Sequence, residues 1–397
     1  MKRRMIFMSF QVYLPTRTLF GAGMLNSLHK QELPGKKAML VISNGKSVRE
    51  NGALDRTLNE LKLAGVDTVI FDKVNANPVK SIVMEGAAFA RENGCDFVAA
   101  LGGGSVMDAA KIMAMMATND GDLWDYVSGG TGKGQTLPNG PLPVICITTS
   151  AGTGSEVDQW GVVSNEETQE KIGCGGYDSL FPVLAIVDPE LMTSVPPKFT
   201  AYQGFDALFH ATECYISKMS NPMSDMVALT AIENVAGYLP QAVKNGGDIE
   251  AREHVAFGNT LSGWVMNLSC NTSEHSMEHA LSAYHPQLPH GAGLIMISIA
   301  YYQHFVDAGC CPAKFIRMAQ AMGMSHADKP QDFITMLAKL QADCGVDDLK
   351  MSEYGIQPSE FPAMAENARA TMGGLFTADP VSTSNEDCVA IYQKSFR

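Results

Sequence analysis

Between residue 37 and about residue 195, short continuous apolar runs alternate with segments whose apolar residues recur three and four apart. Residues 37–42, 68–71, 96–101, 142–148 and 183–187 each contain a short run of successive apolar residues, as strands buried on both faces do. Residues 53–63 and 79–93 show helical spacing between them. Strands separated by such helices predict a parallel sheet covered on both faces. Beyond Pro196-Pro197 the pattern is long helices rich in Met and Ala, with no further strand. Asn245-Gly246-Gly247 and residues 327–330 read as loops between those helices. The fold class predicted is therefore an α/β domain over residues 1–193 followed by an all-α domain over residues 194–397.

A length of 397 residues with 46% apolar and 18% charged side chains suits two or three folded domains and excludes a disordered chain. The 29 basic and 42 acidic residues leave a net charge of −13, which would repel a phosphate backbone, so nucleic acid is not an expected partner. No stretch reaches the roughly 18 apolar residues of a membrane span. Residues 1–10 carry Lys2-Arg3-Arg4 but lack the apolar core and cleavage site of an export signal. Nine cysteines, an odd number with Cys310 and Cys311 adjacent and no C-x-x-C pair, read as reduced thiols. Together these features point to the cytoplasm.

Candidate chemistry begins where the strand ending at Leu101 meets Gly102-Gly103-Gly104-Ser105, followed by the helical Val106-Met107-Asp108-Ala109-Ala110-Lys111. Successive glycines let backbone approach a phosphate, and the free N–H groups at a helix start favour its charge. The spacing is neither the Gly-x-Gly-x-x-Gly fingerprint nor a Walker loop, so a plain tight turn stays open. A second polar loop, residues 148–156, also follows a buried strand, and loops at strand C-termini are where open α/β sheets bind ligands.

Four of nine histidines fall within the sixteen residues 275–290, among them His275, His279 and His290. Thr200 and Gln203 fit a capping box, which puts Asp206 and His210 at i and i+4 on one helix face. His275 and His279 repeat that spacing, and His290 sits in a Leu288-Pro289-His290-Gly291 turn. One carboxylate and three imidazoles suit iron(II) or zinc with a position open for substrate. A rival reading is that His275-Ser276-Met277-Glu278-His279 spells H-x-x-E-H, a metallopeptidase motif, with Glu353 as third ligand. That rival leaves Asp206, His210, His290 and both loops without a role.

The chain resembles the iron-containing alcohol dehydrogenases in Gly102-Gly103-Gly104-Ser105-Val106-x-Asp108-x-Ala110-Lys111, Ala151-Gly152-Thr153-Gly154-Ser155-Glu156, Asp206-x-x-x-His210, His275-x-x-x-His279 and Pro289-His290-Gly291. Supporting pieces are Thr16-Arg17-x-Leu19-Phe20-Gly21, Asn75-x-Asn77-Pro78 and Asp188-Pro189-Glu190. The resemblance implies a dinucleotide-binding N-terminal domain, a helical C-terminal domain of dehydroquinate-synthase-like architecture, and a metal in the cleft between them. It implies Asp206, His210, His275 and His290 as ligands and His279 beside the nicotinamide. The chain departs from the family pattern in that His290 lies eleven residues after His279 rather than ten, with His285-Pro286 in between, which makes His285 a competing ligand.

By the same resemblance, members that prefer NAD carry an Asp after the first strand of the nucleotide domain. Here Ser43-Asn44-Gly45-Lys46-Ser47 stands there, without an acid to repel a 2′-phosphate, which favours NADP(H) over NAD(H). Gly102 to Ser105 and Asn77 are expected to hold the cofactor, Asp108 to brace its loop, and Thr148 and Thr149 to flank it. Lys171 resembles a family lysine near the cofactor and reads equally as a surface charge. The implied activity is hydride transfer between the nicotinamide and a small alcohol or aldehyde whose oxygen a Lewis acid polarises. His279 is the candidate to pass the alcohol proton outward or to orient the nicotinamide. Trp160 and Trp264 are candidates for an apolar substrate wall or for core. The family implies a homodimer. Alternatives are a dehydroquinate-synthase-like lyase, whose phosphate-bearing substrate would need basic residues that 200–300 scarcely offer, and a non-catalytic nucleotide-binding protein.

Overall fold

The structure is a computed structural model and describes residues 9–397; Lys2-Arg3-Arg4 lies outside the described residues. The first half runs β1 (Arg17–Phe20), β2 (Lys37–Ser43), α1 (Ser47–Glu50), α2 (Ala53–Leu63), β3 (Asp67–Val74), α3 (Lys80–Glu92), β4 (Phe97–Gly102), α4 (Gly104–Ala117), α5 (Leu123–Tyr126), β5 (Val144–Thr148), β6 (Trp160–Asn165), β7 (Glu170–Gly175) and β8 (Leu184–Val187). The second half is helical: α6 (Pro197–Ile216), α7 (Pro222–Lys244), α8 (Ile249–Leu268), α9 (Ser273–Tyr284), α10 (His290–Asp307), α11 (Pro312–Ala321), α12 (Gln331–Asp343), α13 (Phe361–Ala378) and α14 (Asn385–Ser395).

Six strands pair in the order β1-β8-β5-β4-β2-β3, every pair parallel. The period of two divides each strand between two cores. Leu40, Ala99 and Ile145 pack with α2 on one face, and Met39, Val98 and Cys146 pack with α3 and α4 on the other. The chain reverses its direction of travel across the sheet between β2 and β4. The strand C-termini at such a switch point form a crevice, and the Ser43 to Ser47 turn and the Gly102 to Ser105 loop both open there. A third core fills the helical half, centred on α6, α8, α9 and α10.

The structure differs from the sequence expectation in two places. The β6–β7 hairpin and β1 were not anticipated, because β1 spans only four residues and Gly161, Gly173 and Gly175 dilute the apolar signal of the hairpin. The Thr200–Gln203 capping box does not form. Helix α6 is capped four residues earlier, at Pro196 with Pro197 as its first residue, and Thr200 Oγ1 instead donates to Val195 O and accepts from Arg252 Nη1 at 2.9 Å. The i, i+4 relation of Asp206 to His210 survives, since both lie well inside the helix. Among the described residues no helix is long and apolar enough to cross a membrane, and all nine cysteines are free.

Candidate functional site

The two polar loops pack against one another, which explains their glycines. A side chain at Gly103 would come within 2.9 Å of Ser150 Oγ, and one at Gly104 within 2.7 Å of Thr153 Oγ1. Gly103 precedes the first turn of α4, whose N–H groups have no side-chain cap. Beneath them Asp108, buried and pushed up to about 6 by burial, accepts from Ser155 Oγ at 2.5 Å and Val162 N at 2.9 Å. Asp108 therefore braces the second loop and β6 rather than the glycines. Lys111, fully buried, donates to Asp158 Oδ1 at 2.7 Å and Ser155 O at 2.9 Å, tying α4 to the end of the same loop.

The second loop leads to the histidines: a side chain at Gly152 would lie 3.1 Å from Asp206 Oδ2. Three ring nitrogens converge on Asp206 Oδ1, His275 Nε2 at 3.3 Å, His210 Nδ1 at 3.4 Å and His290 Nε2 at 3.5 Å. His210 and Asp206 come from α6, His275 from α9, and His290 from the first residue of α10. The far nitrogens of two rings are held by buried carboxylates, His275 Nδ1 by Glu213 and His290 Nδ1 by Glu278. Burial opposes charge on His275, but Glu213 and Asp206 push it up to about 10, while burial beside His275 pushes His210 down to about 3. Burial opposes ionisation of Asp206 too, yet His210 and His290 hold its carboxyl well below the usual range.

This cluster fits a divalent ion. His210 Nδ1 is buried without a hydrogen-bond partner and aims at the oxygen the other rings face. One carboxylate oxygen and three imidazole nitrogens form a donor set suited to iron(II) or zinc, and a cation beside Asp206 would displace only protons on the ring nitrogens that face it.

A cavity of about 720 Å³ joins the cluster to the glycine loop. Ser43, Asn77, Gly102, Gly103, Gly104, Ser105, Asp108, Thr149 and Lys171 line it, together with Asp206, His210, His275, His279 and His290. Asn44, Gly45 and Thr148 do not. Asn44 and Gly45 are exposed beyond its rim, and Thr148 is fully buried with Oγ1 donating to Ser150 O at 2.9 Å, so it shapes its own turn. Asn77, at φ 55°, donates its backbone N–H to Ser105 Oγ at 3.3 Å. Lys171 is no surface charge: it is buried, and Nζ donates to Ser282 Oγ at 2.9 Å. Trp160 lines the cavity, whereas Trp264 packs on the helical core.

His279 opens on the cavity but its Nδ1 faces Met372 Sδ at 2.8 Å, and burial followed by Lys171 keeps the ring neutral. His285 bonds Glu360 at 3.1 Å and is not part of the cluster, because its turn directs it toward the residues before α13. Glu353 is exposed and lies 3.8 Å from Lys350 Nζ, so the metallopeptidase constellation does not assemble. Of the described Lys and Arg residues only Lys171 lines the cavity, too few for the phosphate-bearing substrate of the lyase alternative.

The sequence reading missed Glu213, Met372 and the role of Glu278. Glu213 stands seven residues after Asp206 on the same helix, a spacing that was available as a signal. Met372 had none, since it arrives from 93 residues beyond His279 at a non-helical kink in α13, φ −131° and ψ 39°.

The family profile described as "Iron-containing alcohol dehydrogenase" matches residues 15–189, and that described as "Fe-containing alcohol dehydrogenase family, C-terminal" matches residues 200–396. The 1,3-propanediol dehydrogenase of Klebsiella pneumoniae is 34% identical over 401 residues, covering 99% of this chain and 100% of the relative. A protein of Bacillus subtilis named "Probable NADH-dependent butanol dehydrogenase 1" is 31% identical over 397 residues, covering 98% and 99%. Among solved structures, an archaeal halo-thermophilic alcohol dehydrogenase from a Red Sea brine pool superimposes with TM-score 0.93 at 35% identity, covering 98% of this chain and 100% of that one.

Proposed function

Because the chain belongs to the iron-containing alcohol dehydrogenase family and is thus an oxidoreductase of small alcohols and aldehydes, we propose that it transfers hydride in the cavity between the glycine loop and the histidine cluster. The observation that carries this reading is the convergence of three imidazole nitrogens on Asp206 Oδ1 at one end of a cavity whose other end is a helix N-terminus. In the proposal Asp206, His210, His275 and His290 hold an iron or zinc ion, which when bound supplies Lewis-acid polarisation of the substrate oxygen. Gly102, Gly103, Gly104 and Ser105 hold the dinucleotide phosphates, with α4 N–H groups as donors. Asn77 and Thr149 flank the nucleotide. His279, neutral and fixed at Nδ1, positions the nicotinamide between loop and cluster. Lys171 contributes charge near the cofactor through its buried contacts with α9. The division of labour follows the chain, with residues 1–193 binding nucleotide and residues 194–397 supplying the ion's ligands.

Family membership implies NAD(H) in general, and the named butanol dehydrogenase relative uses NADH by its name. We propose NADP(H) for this chain because the Ser43 to Ser47 turn presents no carboxylate: the nearby Asp72 is engaged by Arg49 at 2.7 Å, and Lys46 is exposed. Initial rates with NADPH and NADH over a panel of short aldehydes test the proposal, with higher kcat/KM for NADPH expected. Asn44→Asp should shift that ratio toward NADH by at least about tenfold, since two like charges a few ångströms apart repel by about 1–4 kcal/mol in water-rich surroundings. A ratio unmoved by the substitution would reject the charge argument. The proposal includes a cytoplasmic homodimer, for which β1 leaves one edge of the sheet unpaired among the described residues; sedimentation velocity would measure its mass.

A further inference from the structure

Once the peptidase constellation fails, the Glu of His275-x-x-Glu278-His279 has no part in the chemistry described above, yet it is fully buried and directed at a ligand histidine. We propose that Glu278, balanced by Lys171, is a positioning residue that holds His290 in the tautomer and orientation the ion requires. The inference rests on the ligand set of the proposed function.

His290 needs such a brace more than the other rings do. It begins α10 rather than sitting inside a helix, and its side chain is 22% exposed against 8% for His210 and 5% for His275. Its Nδ1–H donates to Glu278 Oε2, which leaves Nε2, the nitrogen that faces Asp206, as the one for an ion. Glu213 does the same for His275. The place for Glu278 is built from three sides. Lys171 Nζ lies 3.5 Å from Oε2 and is anchored by Ser282, while a side chain at Gly293 would come within 2.8 Å of Glu278 Cγ, so that position stays bare. Lys171 comes from β7, so the brace also links the hairpin of the sheet-bearing half to the ligand helices.

Glu278, His279 and His290 also offer ligand atoms within 4.8 Å of one another, which raises a second cation position sharing His290. The charges argue against it. An ion there would face the buried Lys171 ammonium, which lies 3.5 Å from Glu278 Oε2. One ion with an outer carboxylate accounts for the geometry without that repulsion.

The test strips wild type, Glu278→Gln and Glu278→Ala with chelator, then measures cobalt(II) affinity by competition with a chromophoric chelator and the visible bands of the bound ion. Wild type is expected to bind one equivalent. Glu278→Ala should bind about 10–100-fold more weakly, the usual cost of losing such a partner. Glu278→Gln should lose less and keep the wild-type cobalt bands, because its amide oxygen still accepts from Nδ1–H; being isosteric, it carries the test if the Ala variant does not fold. Wild-type affinity in both variants, or two equivalents in wild type, would overturn the inference. Failure of wild type to bind cobalt at all would instead overturn the ligand set on which it rests.

Discussion

Asp206→Ala is expected to abolish metal binding and to lower kcat/KM for aldehyde reduction by about 10³-fold or more. The reason is convergence: Oδ1 is the one anionic atom within 3.5 Å of three ring nitrogens contributed by three different helices. Without it three imidazoles would have to share a dication with no charge to offset it. Lewis-acid stabilisation of several kcal/mol is then lost, and each 1.36 kcal/mol is a factor of ten in rate. Asp206→Asn separates chemistry from packing, since it keeps the volume and loses the charge. Both variants should retain wild-type dichroism and nucleotide binding, because the glycine loop lies at the far end of the cavity. Metal analysis after gel filtration and initial rates measure the two effects. An Asp206→Asn variant with full metal content and near-normal rate would exclude Asp206 as a ligand.

Lys111→Met should destabilise the protein by about 3–5 kcal/mol, the scale observed when one partner of a buried ion pair is removed. Lys111 has no exposed surface, and its ammonium serves Asp158 Oδ1, Asp158 O and Ser155 O. Burial opposes its charge, but Asp158 and Asp108 more than compensate and raise it above the ordinary lysine value, so it is charged at neutral pH. Methionine fills the space and leaves Asp158 buried with only the Trp160 N–H at 2.8 Å. For a unit of this size the loss corresponds to a fall in unfolding midpoint of about 6–20 °C. Lys350→Met is the control: its partner Glu353 is 3.8 Å away and both are exposed, so about 0–1 kcal/mol is at stake. Equal midpoints for the two variants would mean that the buried pair does not hold the second loop to α4.

The sheet was legible in the sequence because each central strand is apolar on both faces, a pattern that solvent-exposed segments do not produce. Strand β1 and the β6–β7 hairpin were not, since four residues are too few to show a period and glycines interrupt the hairpin. The start of α6 was misread because Thr200 and Gln203 mimic a cap, while the proline pair before them sets the real one. In the site, i and i+4 spacing brought out Asp206 with His210 and His275 with His279, because helical spacing is a local property. What separates the two rings is tertiary: His275 turns Nε2 toward Asp206, whereas His279 turns Nδ1 toward Met372, 93 residues away in sequence. Loop position points to Thr148, but a strand-end hydroxyl that bonds its own turn is hidden from the cavity.

We propose that one divalent ion, held by Asp206 and three histidines, makes this chain a nicotinamide-dependent oxidoreductase. The most direct test is an anaerobic titration of chelator-stripped protein with iron(II), following NADPH oxidation by a short aldehyde. No oxidation is expected without metal, and the rate should rise linearly and level off at one equivalent. Oxidation at full rate in the stripped protein, or none of NADPH or NADH at any iron or zinc level, would contradict it.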